Sequence, residues 1–335
     1  MRLVFVVVLL GCSAAVAGEE QTLRIGSIVP DGTGWARGLQ AMAREVDAKT
    51  GGALKMKVYL GGIAGDELEM MDRVRRGQLD GMLSGSVACE TYAPSLRVAR
   101  IPGMLETWDE ASFVLGRLRP LIEDEARRNG FTYLGDAVIG PSILFLRTAV
   151  HDLAEIERQR LWIWDIERIL GAVLPEMGFA IAPLPIRDAL GAYEGGRVDG
   201  FITPAMVALG FQWSTAARYF ADLRFGFVVG CFVVSNRFFD ALPLPSQQAL
   251  RVAAAATKER LEQVGRSQED QLVHGLFEKQ GLKPLHLDEP TRAAFFESAR
   301  AARDKTAARL VPSALIARVL GMLADYRSEH RAGRE

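Results

Sequence analysis

"GRVDGF", residues 196–201, repeats the pattern of "GQLDGM", residues 77–82: Gly, any residue, an aliphatic, Asp, Gly, an apolar residue. Each copy closes a segment with helical spacing and opens a run that reads as a strand. Gly77 and Gly196 fall where a helix ends, a place where positive φ costs glycine little. Asp80 and Asp199 read as acids that cap or stabilise the turn, not as ligand contacts.

Working outward from the first copy, "LRIGSIV" (23–29) alternates as a strand and stops at Pro30-Asp31-Gly32. Trp35, Leu39, Met42 and Val46 recur at helical spacing, and Thr50-Gly51-Gly52 ends that helix. "ALKMKVYL" (53–60) is a second strand, "GGIAG" a surface loop, and Asp66 caps a helix running to Arg76 before "LDGMLSG" (79–85). Around the second copy the same order returns. "RLWIW" (160–164) is a strand, Ile169, Val173 and Met177 mark a helix, and "AIAPLP" (180–185) is a strand. A short helix opens near Asp188 and leads to "VDGFIT". A β-α-β-α-β order met twice predicts two α/β lobes, each with a mostly parallel sheet.

"GPSILFLRTAV" (140–150) and "FGFVVGCFVVSNRFF" (225–239) read as strand-rich crossings between the lobes. Ser246 is a candidate cap for a long helix reaching about Lys279. The expected boundaries are lobe I at 22–143 plus about 236–265, and lobe II at 144–235 plus about 266–325. In open α/β sheets ligands sit beyond the carboxyl ends of strands, which here are "SGS" (84–86) and "TPA" (203–205).

Composition narrows the function. The 335 residues include 40 basic and 41 acidic side chains, a net charge of -1, without the basic excess that nucleic acid would require. The start, "MRLVFVVVLLGCSAAVAGEE", has an Arg, an apolar run and small residues, as a secretory signal does. Two processing sites compete. Ala15-Val16-Ala17 predicts a soluble product with residues 1–17 removed; Leu9-Leu10-Gly11-Cys12 predicts a signal to residue 11 and lipidation at Cys12. The longest later apolar run, residues 225–234, is too short to span a bilayer, so membrane contact is expected only through partners or that lipid anchor. Cys89 and Cys231 could pair in an oxidising compartment, which spacing cannot show; the plainer reading is two buried free thiols.

Catalytic motifs are absent. His151, His274, His286 and His330 have no metal-ligand spacing, and no C-x-x-C, G-x-S-x-G or phosphate-loop signature occurs. Glu67 and Glu69, two apart on a helix, do not share a face. No enzyme activity, cofactor or metal is expected, and an exported two-lobed protein of this kind points to ligand capture in a cleft.

The chain resembles the solute-binding proteins of TRAP transporters. The resemblance is carried by "EVDAKTGGALKMKVYLGGIAGDELEMMDRVRRGQLDGM" (45–82), "YAPSLRVARIPGML" (92–105), "HDLAEIERQRLWIW" (151–164), "YEGGRVDGFITP" (193–204) and "FFDALPLPSQQAL" (238–250). It implies the two-lobed periplasmic-binding-protein fold, with crossing strands and a long helix joining the lobes. It further implies a periplasmic receptor that delivers its ligand to a small and a large integral membrane subunit. In the family an Arg on the strand after the Asp-Leu segment grips a ligand carboxylate. Aligned through "RLW", that position here is Trp162, and Pro141 and Ser142 stand where a further basic residue is frequent. The expected cleft is therefore apolar, lined by Trp162, Trp164, Phe145, Met104, Pro141, Phe211 and Trp213, with Ser84, Ser86, Thr203 and Arg160 at a polar end. The expected ligand is hydrophobic or lipid-like; the alternative is an ordinary small organic acid held by a relocated basic anchor, Arg160.

Overall fold

The computed structural model describes residues 20–332. The signal-peptide and Cys12 readings therefore lie outside the described residues. The chain runs β1 (Gln21–Ser27), α1 (Gly34–Lys49), β2 (Leu54–Tyr59), α2 (Glu67–Arg75), β3 (Gly81–Ser84), α3 (Ser86–Tyr92), a 3₁₀ stretch Pro94–Arg100, α4 (Trp108–Arg128) and β4 (Phe131–Leu146). It continues with α5 (Leu153–Glu157), β5 (Leu161–Trp164), α6 (Arg168–Glu176), β6 (Ile181–Leu184), α7 (Ala189–Glu194), β7 (Gly200–Pro204) and α8 (Ala205–Gly210). Then come β8 (Tyr219–Ala221), β9 (Phe227–Ser235), α9 (Asn236–Ala241), α10 (Leu244–Gln271), α11 (Phe277–Lys279), α12 (Glu289–Lys305) and α13 (Ser313–Ala332).

The strands order as β2-β1-β3-β9-β4-β7-β5-β6. Within it β2-β1-β3 and β6-β5-β7 are parallel triplets of the same design, and β4 and β9 join them antiparallel. The repeated Asp-Gly turn makes the same stitch in each triplet. Asp80 accepts a hydrogen bond from the Arg24 backbone N–H at 2.8 Å, and Asp199 accepts one from the Arg160 backbone N–H at 2.9 Å. In return the Asp80 and Asp199 N–H groups donate to the carbonyls of Arg24 and Arg160. Gly77 and Gly196 turn at φ 73° and 71°, the left-handed region that glycine tolerates. Both acids therefore fasten the third strand of a triplet to its first.

β4 is long because it serves both halves. Phe131–Pro141 pairs with β9, and Ser142–Leu146 pairs with β7. The expected second crossing is different: β9 pairs with β3 and β4, so it lies in the first half-sheet and not in lobe II. The chain passes between halves just before it, at Gly226, whose φ of 107° needs glycine. The long helix is α10. It starts at Leu244 after Pro243, with Ser246 buried inside its first turn and not capping it. A π turn at Leu272–Leu276, with non-helical His274 and Gly275, separates it from α11.

A further expectation is overturned. Cys89 and Cys231 form a disulfide across a Cα–Cα distance of 6.0 Å, so they are not free thiols. α3 lies along β9, and that packing brings together residues 142 apart in sequence, a proximity that spacing cannot reveal. Among the described residues no helix is long and apolar enough to cross a membrane.

Candidate functional site: a cleft between the two half-sheets

The carboxyl ends of β1, β3, β5 and β7 face one another across a cleft with about 1460 Å³ of free space, its open mouth included. This is where a doubly wound α/β architecture leaves room. Most of the wall is apolar. Trp162 and Trp164 project from the same face of β5, and the Trp162 Nε1–H is tied to the Leu184 carbonyl at 3.0 Å. Trp213 meets Trp162 edge-on at 4.8 Å and stacks on Phe201 at 5.1 Å, and Phe211 extends the cluster. Of the expected residues, Trp162, Trp164, Ser84, Ser86, Thr203, Phe211 and Trp213 line this cleft.

Four do not. Arg160 sits before β5, at the amino end of the strand, exposed to solvent and tied to the Gly196 carbonyl. It is the counterpart of Arg24, on the sheet edge away from the cleft. Phe145 is core, edge-on to Phe277 at 5.4 Å, and Met104 is buried in the largest apolar core cluster. Pro141 pairs with Phe227 in the ladder, and the cleft wall is supplied by its neighbour Ser142.

Two cations line the cleft, Lys258 and Arg100, and nothing in the sequence marks Arg100 as one of them. It ends the 3₁₀ stretch and is only 4% exposed. Its Nε donates to Glu167 Oε2 at 3.1 Å, its Nη2 lies 3.0 Å from the same oxygen, and Nη1 donates to Ser142 Oγ at 3.0 Å. Glu167 caps α6 in the second half, so a buried ion pair spans the cleft. A guanidinium carries five N–H groups. Among the described residues these partners leave an N–H free on each Nη nitrogen, the fork that carboxylates fit.

Further polar groups converge here. Among the described residues Ser84 Oγ and Trp35 Nε1 are buried without a hydrogen-bond partner. Ser86 Oγ accepts from the Val229 N–H at 3.1 Å. Glu67 is buried beneath the β3–α3 junction and accepts the N–H groups of Gly85 and, at 2.9 Å, Ala88. Burial pushes its carboxyl up to about 7 against the pull of those two N–H groups. Glu90 behind it is also raised, first by burial and then by the Glu167 charge. Among the described residues no group of three His, Cys, Asp or Glu is placed to hold a metal.

The profile of DctP, the bacterial extracellular solute-binding protein family 7, matches residues 25–310. The chain belongs to this family.

Relatives of this family 7 receptor are distant in sequence and near in shape. A solute-binding protein of Verminephrobacter eiseniae is 22% identical over 242 residues, 72% of each chain. One from Albidiferax ferrireducens is 21% identical over 291 residues, 82% of each chain. A TRAP periplasmic solute-binding protein of Haemophilus influenzae with bound L-gulonate superposes with a TM-score of 0.82 at 15% identity, covering 90% of this chain and 99% of that one. A Bordetella pertussis extracytoplasmic receptor binding pyroglutamic acid superposes with a TM-score of 0.80 at 17% identity, covering 89% and 99%. The protein is thus an extracytoplasmic TRAP-type solute receptor and not an enzyme, with the α/β periplasmic-binding fold and its long helix.

Proposed function

We propose that this receptor captures a small organic acid with an apolar body and delivers it to the small and large membrane subunits of a TRAP transporter. The observation that carries the reading is the Arg100 fork, presented with Ser142 into a cleft otherwise walled by tryptophans. The ligand carboxylate takes the two remaining N–H groups on Nη1 and Nη2, and Ser84 or Thr203 meets its second edge. Arg100 then does the work that the family assigns to the strand position occupied here by Trp162. The Glu167 partner holds the guanidinium flat and in place but also neutralises it, so affinity depends on the apolar body as well as on the charge. Ligands of the family's relatives support an acid: one receptor of the same fold holds L-gulonate and another pyroglutamic acid. The Trp162–Trp213 wall favours a body with fewer hydroxyls than a sugar acid. A wholly neutral lipid would leave the remaining Nη N–H groups of Arg100 and the Ser84 Oγ without a partner.

Tryptophan fluorescence titration with a panel of small carboxylates and their amides tests this. Saturable quenching by a carboxylate, absent with its amide, is the expected result. Arg100→Met should abolish it and, by stranding buried Glu167, cost about 3–5 kcal/mol of stability. The double variant Arg100→Met/Glu167→Gln should regain most of that stability and still not bind. Undiminished carboxylate binding in the double variant would sink the Arg100 assignment.

A further inference from the structure

Lys258, the second cation of the cleft, stands on α10. Ala254, Thr257, Lys258 and Leu261 line the cleft at helical spacing, so one face of that helix is turned inward. Lys258 is the charged residue among these four, and 20% of its side chain is exposed. Its nearest carboxylate oxygens, Asp136 Oδ2 at 3.6 Å and Glu262 Oε1 at 3.8 Å, are too far for hydrogen bonds. The two acids therefore balance its charge while its three N–H groups stay unused among the described residues. Arg100 and Lys258 are anchored at different points along β4. Arg100 donates to Ser142, whose own N–H donates to the Gly226 carbonyl. Lys258 lies beside Asp136, which pairs with Cys231 further along β9. At about 3.3 Å per residue, those two anchors stand about 16 Å apart along the sheet.

We propose that Lys258 is a second ligand contact, donating to a neutral oxygen at the far end of the acid. The preferred ligand is then a monocarboxylic acid with an apolar body and a hydroxyl or carbonyl oxygen remote from its carboxylate. The inference rests on the carboxylate reading of Arg100, which holds the head while the Trp162–Trp213 wall packs along the body. With Asp136 and Glu262 beside it, Lys258 offers hydrogen bonds without net positive charge. A second ligand carboxylate placed there would meet two like charges, whereas a neutral oxygen takes the N–H groups at no such cost. A plain hydrocarbon end would leave the ammonium as it found it.

Calorimetric titration with matched pairs tests it: butanoate, hexanoate, octanoate and decanoate, each against the same acid with a terminal hydroxyl, and decanedioate beside them. The butanoate pair, too short to reach, should agree within about twofold, and in a longer pair the hydroxyl should gain about tenfold. Decanedioate should bind more weakly than 10-hydroxydecanoate. Lys258→Met should bring the discriminating pair to within about twofold of one another. Equal affinities in every pair, a hydroxyl preference that survives Lys258→Met, or decanedioate as the tighter ligand would each overturn the Lys258 contact and leave the Arg100 reading intact. If no acid of any length binds, both readings fall. The wild-type pairs decide the matter even if the variant does not fold.

Discussion

Two buried glutamates give this receptor a built-in pH response. Glu67 and Glu269 both have carboxyls pushed by burial up to about 7 from an ordinary 4.5. A carboxyl raised in the folded state binds its proton more tightly there than in the unfolded chain. Its contribution to stability is then full below about pH 4.5 and is lost as pH rises to about 7. Glu269 accepts a hydrogen bond from Trp108 Nε1, a bond that glutamine can also accept. Glu269→Gln should flatten the fall in stability between pH 4.5 and 7, checked by urea unfolding midpoints at a series of pH values. An unchanged slope would mean that the unfolded chain and Glu269 titrate alike. At this scale the sequence was least legible. Nothing in the sequence sets Glu67 or Arg100 apart, because burial and, for Arg100, a partner 67 residues away decide what each does. Trp162, Trp164 and Trp213 were legible, since three indoles near strand ends are costly to expose.

At the scale of elements, the Asp-Gly turn was the most legible feature of the chain. A short motif with fixed backbone geometry announces itself, because the Gly must accept positive φ and the Asp must reach a neighbouring strand. The β2-β1-β3 and β6-β5-β7 orders follow from it. Substituting Asp199 by Ala should cost about 1.5–3 kcal/mol, the value of a hydrogen bond donated to a charged acceptor, and leave ligand affinity unchanged. Thermal unfolding and a ligand titration on the same variant would check both parts. Loss of affinity without loss of stability would return Asp199 to the ligand. By contrast, Arg160 was misplaced because alternation gives the face of a strand but not how far along it the cleft lies. The membership of β9 was misread for a related reason. An apolar strand run carries no label saying which half-sheet it joins, and pairing with β3 is a long-range fact.

For the whole molecule, the two halves are coupled by β4, by α10 and by the Arg100–Glu167 pair, while the first half is separately braced by Cys89–Cys231. Removing the bridge with Cys89→Ala/Cys231→Ala should lower stability by about 2–5 kcal/mol, read as a lower denaturant midpoint. Equal stability of the oxidised and double-variant proteins would show that packing of α3 on β9 suffices. Cys231 also lines the cleft, so the brace and the binding surface share a residue. The order of synthesis gives that arrangement a further meaning. Cys89 emerges 142 residues ahead of its partner, and the bridge cannot close until β9 has followed it into an oxidising space. A chain halted partway through export presents a lone thiol, whereas a finished one presents none from this pair. Resistance of Cys89 to alkylation in the unfolded chain, where burial no longer shields it, is therefore a timestamp: it records that a given molecule has completed its passage and acquired the floor of its cleft.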